Sequence, residues 1–144
     1  MEHLVEGMAL GNVTEVKVVL ASIVAALAGY QVFLMAVGYG KLRLPFLGSR
    51  PASATHRAVG DAIVVVTVVV AFMCISYFGF DEGEDGPAAL HMVFGALLLA
   101  VLSVKIVVLR WWHSAGRFLP PLGITVFVLF LLTWLTSAGD FLAG

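Results

Sequence analysis

Charged residues fall into clusters along this chain, and the stretches between clusters are long and apolar. Val18–Gly38, Ala62–Phe80 and Phe118–Gly139 carry no charged side chain, and Gly86–Val104 carries none apart from a protonatable His91. Each stretch approaches or exceeds the ~20 residues with which an α-helix crosses ~30 Å of hydrocarbon. Runs such as Ile63-Val64-Val65-Val66 do not alternate, as the ~10-residue segments of a transmembrane β-barrel would. Backbone groups in lipid must be bonded within the segment, which favours helices. The many valines are no obstacle, since membrane context overrides a weak helix propensity. The pattern predicts helices near 16–39, 54–79, 88–111 and 121–138. Together they form an all-α, integral membrane four-helix up-and-down bundle, a single transmembrane domain over 1–144. Pro45, Gly48, Ser49 and Pro51 mark a connection from Tyr39 to Ala54, with Ser53 or Thr55 as a cap for the second helix.

Composition removes the alternatives. Hydrophobic residues make up 61% and charged residues 12%, with a mean hydropathy of +1.05. Soluble domains carry about 45–50% apolar and about 25% charged residues, and disordered chains are poorer still in apolar residues. A net charge of -1 leaves no basic footprint for nucleic acid. The single cysteine, Cys74, supports neither an internal disulfide nor a cysteine-ligated cluster. The basic residues set the orientation. Lys41, Arg43, Arg50 and Arg57 lie between or just inside helices one and two, and Arg110 and Arg117 bracket the last connection. Lys17 lies on the other side. The positive-inside rule then puts both basic connections in the cytoplasm, and both termini and the acidic segment Asp81–Asp85 outside. Trp111 and Trp112 sit where an interfacial aromatic belt would place them. Glu2, Glu6 and Glu15 precede the first span, unlike the positive start of a cleavable signal.

Nucleotide-binding glycine patterns, the HExxH zinc pattern and the GxSxG nucleophile motif are absent. The connections leave no room for a soluble catalytic domain. Polar groups within or beside the spans are the informative residues, because they are expensive in lipid. They are Gln31, His56, Asp61, His91, Lys105 and His113, accompanied by Met35 and Met73. Each also has a plainer reading: His56 and His113 as interfacial flanks, Met73 and Cys74 as packing residues. Helix two runs outward and helix three returns, so Met73 and His91 both fall within roughly 10 Å of the outer boundary. A thioether and an imidazole at one depth suit the axial ligands of a haem. Gly95, one turn below His91, leaves clearance for a macrocycle, although a small residue serves close helix packing equally. Lys105 snorkels, pairs with Asp61 or neutralises a haem propionate. Arg57 pairs with a propionate or is an ordinary flanking charge. His56 precedes Met73 by seventeen residues, a helical rise of roughly 25 Å. A second iron there would lie near the inner surface, with His113 or Met35 opposite His56.

Several of these stretches resemble a known family. His56-Arg57-Ala58-Val59-Gly60-Asp61 leads to Phe72-Met73-Cys74, and His91-Met92-Val93-Phe94-Gly95 leads to Lys105 and Arg110. They are similar to the core of a little-characterised bacterial family of small four-helix membrane proteins with a cytochrome b-like layout. That family reads His-Arg-x-x-Gly at the start of helix two and Tyr-His-Cys near its end. Its helix three begins with His and ends in Lys-x-x-x-x-Arg, and Trp134-Leu135-Thr136-Ser137-Ala138 matches its last helix. The similarity covers about residues 50–140. It implies haem b and transmembrane electron transfer in a bacterial plasma membrane, beside redox subunits such as an iron–sulfur protein, or with a quinone. This chain departs from the pattern at Met73, where the family has histidine; the outer site is then a Met–His site or has lost its haem. His113 has no counterpart. The expectation is an electron-transfer subunit of a respiratory or redox complex rather than a self-sufficient oxidoreductase. The alternatives are a non-catalytic membrane anchor or assembly subunit, and a small proton-conducting or transport protein using Asp61, Lys105 and the histidines.

Overall fold

The computed structural model of the chain describes residues 12–78 and 86–144. Four long helices, α1 (Val13–Gly38), α2 (Ser49–Phe78), α3 (Pro87–Arg110) and α4 (Leu119–Trp134), run up and down. A 3-10 turn (His113–Phe118) leads into α4, and a π-helical turn (Leu135–Gly139) extends it to a final turn, Asp140–Ala143. Four segments are long and apolar enough to cross a bilayer: Thr14–Gly38, Ser49–Ser76, Pro87–Arg110 and His113–Gly139. Their outward faces are apolar rather than polar, with Val65 at 63% exposure, Val68 at 57% and Val93 at 54%. Helices that are hydrophobic all round belong in lipid. The protein is a multi-pass, all-α membrane protein.

Helices α2, α3 and α4 start earlier than the sequence pattern predicts, and proline explains why. Pro51, Pro87, Pro120 and Pro121 all fall in first turns, where a missing N–H costs no hydrogen bond. The connection expected over Tyr39–Ala54 is therefore shorter. Ser49 and Pro51 belong to α2, and Ser53 and Thr55 lie within the helix instead of capping it. At the end of α1, Gly40 takes a φ of 70°, and the Lys41 N–H reaches back to the Ala36 carbonyl at 2.9 Å. The acidic segment Asp81–Asp85 and the glutamates Glu2 and Glu6 lie outside the described residues.

In the core, Val24 and Ala28 of α1 meet Ile63 of α2, Leu98 and Leu102 of α3, and Val126, Leu129 and Phe130 of α4. Leu34, Val37 and Ala52 form a second cluster at the end carrying the 39–48 and 111–118 connections, called the basic end below. Side-chain bonds pin the helix pairs. Trp134 Nε1 donates to Ser22 Oγ at 2.8 Å, and Gln31 Nε2 donates to the His56 carbonyl at 2.8 Å. The packing forms an incomplete ring: α1 lies against α2 and α4, and α3 lies against α4, while α2 and α3 approach each other least closely.

Candidate functional site

A cavity of about 620 Å³ lies beside α2 and α3 in the half of the bundle away from the basic end, with Lys17, Ala21 and Val24 of α1 also on its wall. That volume falls within the about 300–1,000 Å³ of ordinary small-molecule and cofactor sites. On α2 the wall is the stripe Thr67, Val70, Ala71, Cys74 and Ile75, which follows i, i+3, i+4, i+7 and i+8 spacing. On α3 it includes His91, Gly95 and Leu98, and α4 contributes Phe130, Thr133 and Trp134.

Among the described residues, His91 is the one imidazole on this wall. Its Nδ1 lies 3.1 Å from the Thr133 carbonyl oxygen. A carbonyl only accepts, so Nδ1 carries the proton and Nε2 keeps its lone pair. This is the arrangement in which a second partner fixes the tautomer and orientation of a ligating histidine. The Thr133 carbonyl lies just before the π turn and also receives the hydroxyls of Thr136 at 3.2 Å and Ser137 at 3.1 Å. A π turn displaces the regular i to i−4 pairing, which leaves a carbonyl at this point able to take extra donors. The Thr133 hydroxyl itself is buried with no hydrogen-bond partner among the described residues. One turn along α3, a Cβ added at Gly95 would meet nothing within 4 Å among the described residues. Close helix packing does not explain this glycine, and the space beside it belongs to the cavity.

Met73 does not share this wall. It is 2% exposed and packs on Val16 and Leu20 of α1 together with Val69. A helix turns about 100° per residue, so Cys74 faces the cavity and Met73 faces α1. The sequence argument used depth alone, and depth does not fix orientation.

A second polar group lies nearer the basic end. Gln31 of α1, half-buried His56 of α2 and Lys105 of α3 gather there, with Lys105 within electrostatic reach of His56. Gln31 Oε1 and His56 Nδ1 are buried without partners. A Cβ at Gly123 would lie 3.4 Å from Met35 Sδ and 3.9 Å from Lys105 Nζ, so this glycine of α4 makes room for both. Asp61 is exposed, and among the described residues Lys105 forms no ion pair with it. His113 stands exposed in the 3-10 turn. Arg57 is exposed on α2 at the basic end.

The sequence reasoning missed Thr133, Cys74 and Gly123 as parts of these sites. Thr133, Thr136 and Ser137 form the one hydroxyl cluster in the last apolar stretch, and that cluster was the available signal. Gly123 carried none.

The chain matches a family of unknown function, DUF6529, over residues 3–144, and it belongs to that family. No curated protein and no solved structure matches it.

Proposed function

We propose that this member of the DUF6529 family binds haem b and moves electrons within the membrane as part of a redox complex. The cavity beside α2 and α3 is the site, and His91 is the protein ligand. One observation carries the reading: a histidine whose Nδ1–H is committed to a backbone carbonyl stands on the wall of an apolar, cofactor-sized cavity. Gly95 leaves the adjoining turn open. Among the described residues no three His, Cys, Asp or Glu side chains converge as a bare metal ion would need. A porphyrin asks the protein for only one or two axial ligands.

Haem supplies reversible one-electron chemistry, while the protein positions it and tunes its potential. His91 would hold it, with the Thr133 carbonyl fixing the ring. Phe130, Val70 and Leu98 would exclude water from its edge, and the Trp134–Ser22 bond would hold α4 against α1 beside it. Met73 would reach such a site only by leaving its place against Val16 and Leu20. Short connections between the helices favour a quinol or an iron–sulfur subunit as the electron donor.

The test is a reduced-minus-oxidised spectrum and a haemochrome assay on the detergent-purified chain. Wild type should show b-type bands, and His91→Ala should lose them while remaining helical and monodisperse. A wild-type protein without haem bands after expression with ample haem would overturn the proposal. So would a His91→Ala protein with unchanged bands. The haem-to-protein ratio should be one. A ratio of two that falls to one in His56→Ala would add a second, inner haem at the Gln31–His56–Lys105 group.

A further inference from the structure

At the basic end, a second cavity of about 370 Å³ is lined by Gly38 of α1 and by Ser49, Arg50, Ser53 and Arg57 of α2. We propose that this cleft binds a phosphate-ester oxyanion, with Arg50 and Arg57 as charge partners and Ser49 and Ser53 as hydroxyl donors. The inference is independent of the haem reading.

The α2 residues follow one stripe. Ser49, Ser53 and Arg57 are spaced i, i+4, i+8, and Arg50, Ser53 and Arg57 are spaced i, i+3, i+7, so all four project from one side of the first turns. The stripe runs roughly 12 Å from Ser49 to Arg57 at about 1.5 Å per residue. Gly38 forms the facing wall, and a Cβ there would come 3.0 Å from Ser53 Oγ. The cleft therefore exists because α1 ends in a residue without a side chain.

The donors in it are unused. Among the described residues neither guanidinium forms an ion pair, although Asp61 follows Arg57 by one turn. The hydroxyls of Ser22, Thr67, Ser103 and Thr125 all donate to the carbonyl four residues back. Ser53 makes no such bond, as is also true of Thr55 on the same helix, and Ser49 at the first helical position has no helical carbonyl behind it. Two guanidinium forks and two free hydroxyls, with no carboxylate on the wall, match the geometry and charge of a phosphate group. Further along α2, beyond Asp61, Val65 and Val68 form an exposed apolar face. A phosphodiester on a membrane lipid would lie with its tails along that face, and basic pockets between transmembrane helices hold such head groups. A soluble phosphate ester offers the same oxyanion, and the experiment separates the two.

The full chain would be reconstituted in phosphatidylcholine vesicles containing phosphatidylglycerol, re-extracted in mild detergent, and its retained lipid measured by mass spectrometry. Binding of inorganic phosphate would be measured by calorimetry on the delipidated protein. Wild type should be enriched in phosphatidylglycerol, and Arg50→Gln with Arg57→Gln should reduce the enrichment by roughly thirtyfold, about fivefold per basic residue. Ser49→Ala with Ser53→Ala leaves every charge in place and should still reduce it by roughly tenfold. That second variant carries the test if the arginine variant fails to fold. Arginine- and serine-dependent binding of inorganic phosphate without lipid enrichment would assign the site to a soluble ester. Equal lipid enrichment in all three proteins, loss in the arginine variant alone, or binding of neither probe by wild type would overturn the proposal.

Discussion

At the scale of single residues, the cavity wall separates residues that act through chemistry from residues that act through shape. Gly95 contributes shape, since nothing among the described residues stands within 4 Å of a Cβ placed there. Gly95→Ala should fold and retain haem, because a methyl group occupies little of the cavity. Gly95→Leu should fold equally well, as leucine is the better helix former, yet its haem content should fall severalfold in the haemochrome assay. Equal haem in both variants would place the cofactor elsewhere. Met73 presents the opposite case, a side chain with ligand chemistry in a packing position. Met73→Leu conserves volume and should leave the reduced spectrum and midpoint unchanged. Met73→Ala should lower stability by about 2–5 kcal/mol through the cavity it opens against Val16 and Leu20, read as a drop in the thermal midpoint in detergent. A change of spin state or midpoint in Met73→Leu would instead put Met73 on the iron. Neighbouring positions on α2 thus divide the work, with Met73 joining α1 and Cys74 facing the cavity.

At the scale of elements, the gaps between charges made all four helices legible, because hydrocarbon thickness dictates their length whatever their side chains do. The boundaries were less legible where proline occupied a first turn, since a proline in sequence reads as a stop as readily as a start. The site was legible only in part. His91 and Gly95 share a face by counting along α3, and both line the cavity. The angular setting of α2 depends on which of its apolar stripes α1 takes, and with valine on nearly every face no periodicity announced it. The π turn left no local signature either, although it lies beside the Thr133 carbonyl that His91 needs. Gln31, which ties α1 to α2, supports a prediction at this scale. Its Nε2 donates to the His56 carbonyl, which already lies within the α2 helix, and its Oε1 is buried unpaired. Replacing a half-satisfied buried amide by an apolar side chain of similar length orphans little. Gln31→Met should therefore change stability by no more than about 1 kcal/mol. A large thermal destabilisation would show that Gln31 holds more than this one bond, for instance through a water shared with Lys105.

For the whole molecule, the incomplete ring of helices and the uneven distribution of charge have to be read together. Helices α2 and α3 are successive in sequence yet approach each other least closely, and the cavity beside them lies toward one membrane face while the Gln31–His56–Lys105 group lies toward the other. On the proposed function, orientation would decide which redox partner could approach which side. The connections at 39–48 and 111–118, with the adjoining helix ends, carry Lys41, Arg43, Arg50, Arg57, Arg110 and Arg117, against Lys17 at the other end. Exposed Trp111 and Trp112 mark the same level as an interface, at 77% and 61% exposure. Short basic connections are retained in the cytoplasm, so the α2–α3 cavity should lie near the outer surface. Cysteine labelling tests this directly in a Cys74→Ala background, which removes the native thiol. Ser114 is exposed in the 3-10 turn, and Ser114→Cys changes one atom of the side chain. It should resist a membrane-impermeant maleimide in intact cells and react once the cells are opened. Gly83→Cys, in the acidic connection outside the described residues, should react in intact cells. The reverse pattern would invert the protein and turn its cavity toward cytoplasmic donors. In that orientation an outward-facing quinol or iron–sulfur partner would meet the basic end instead.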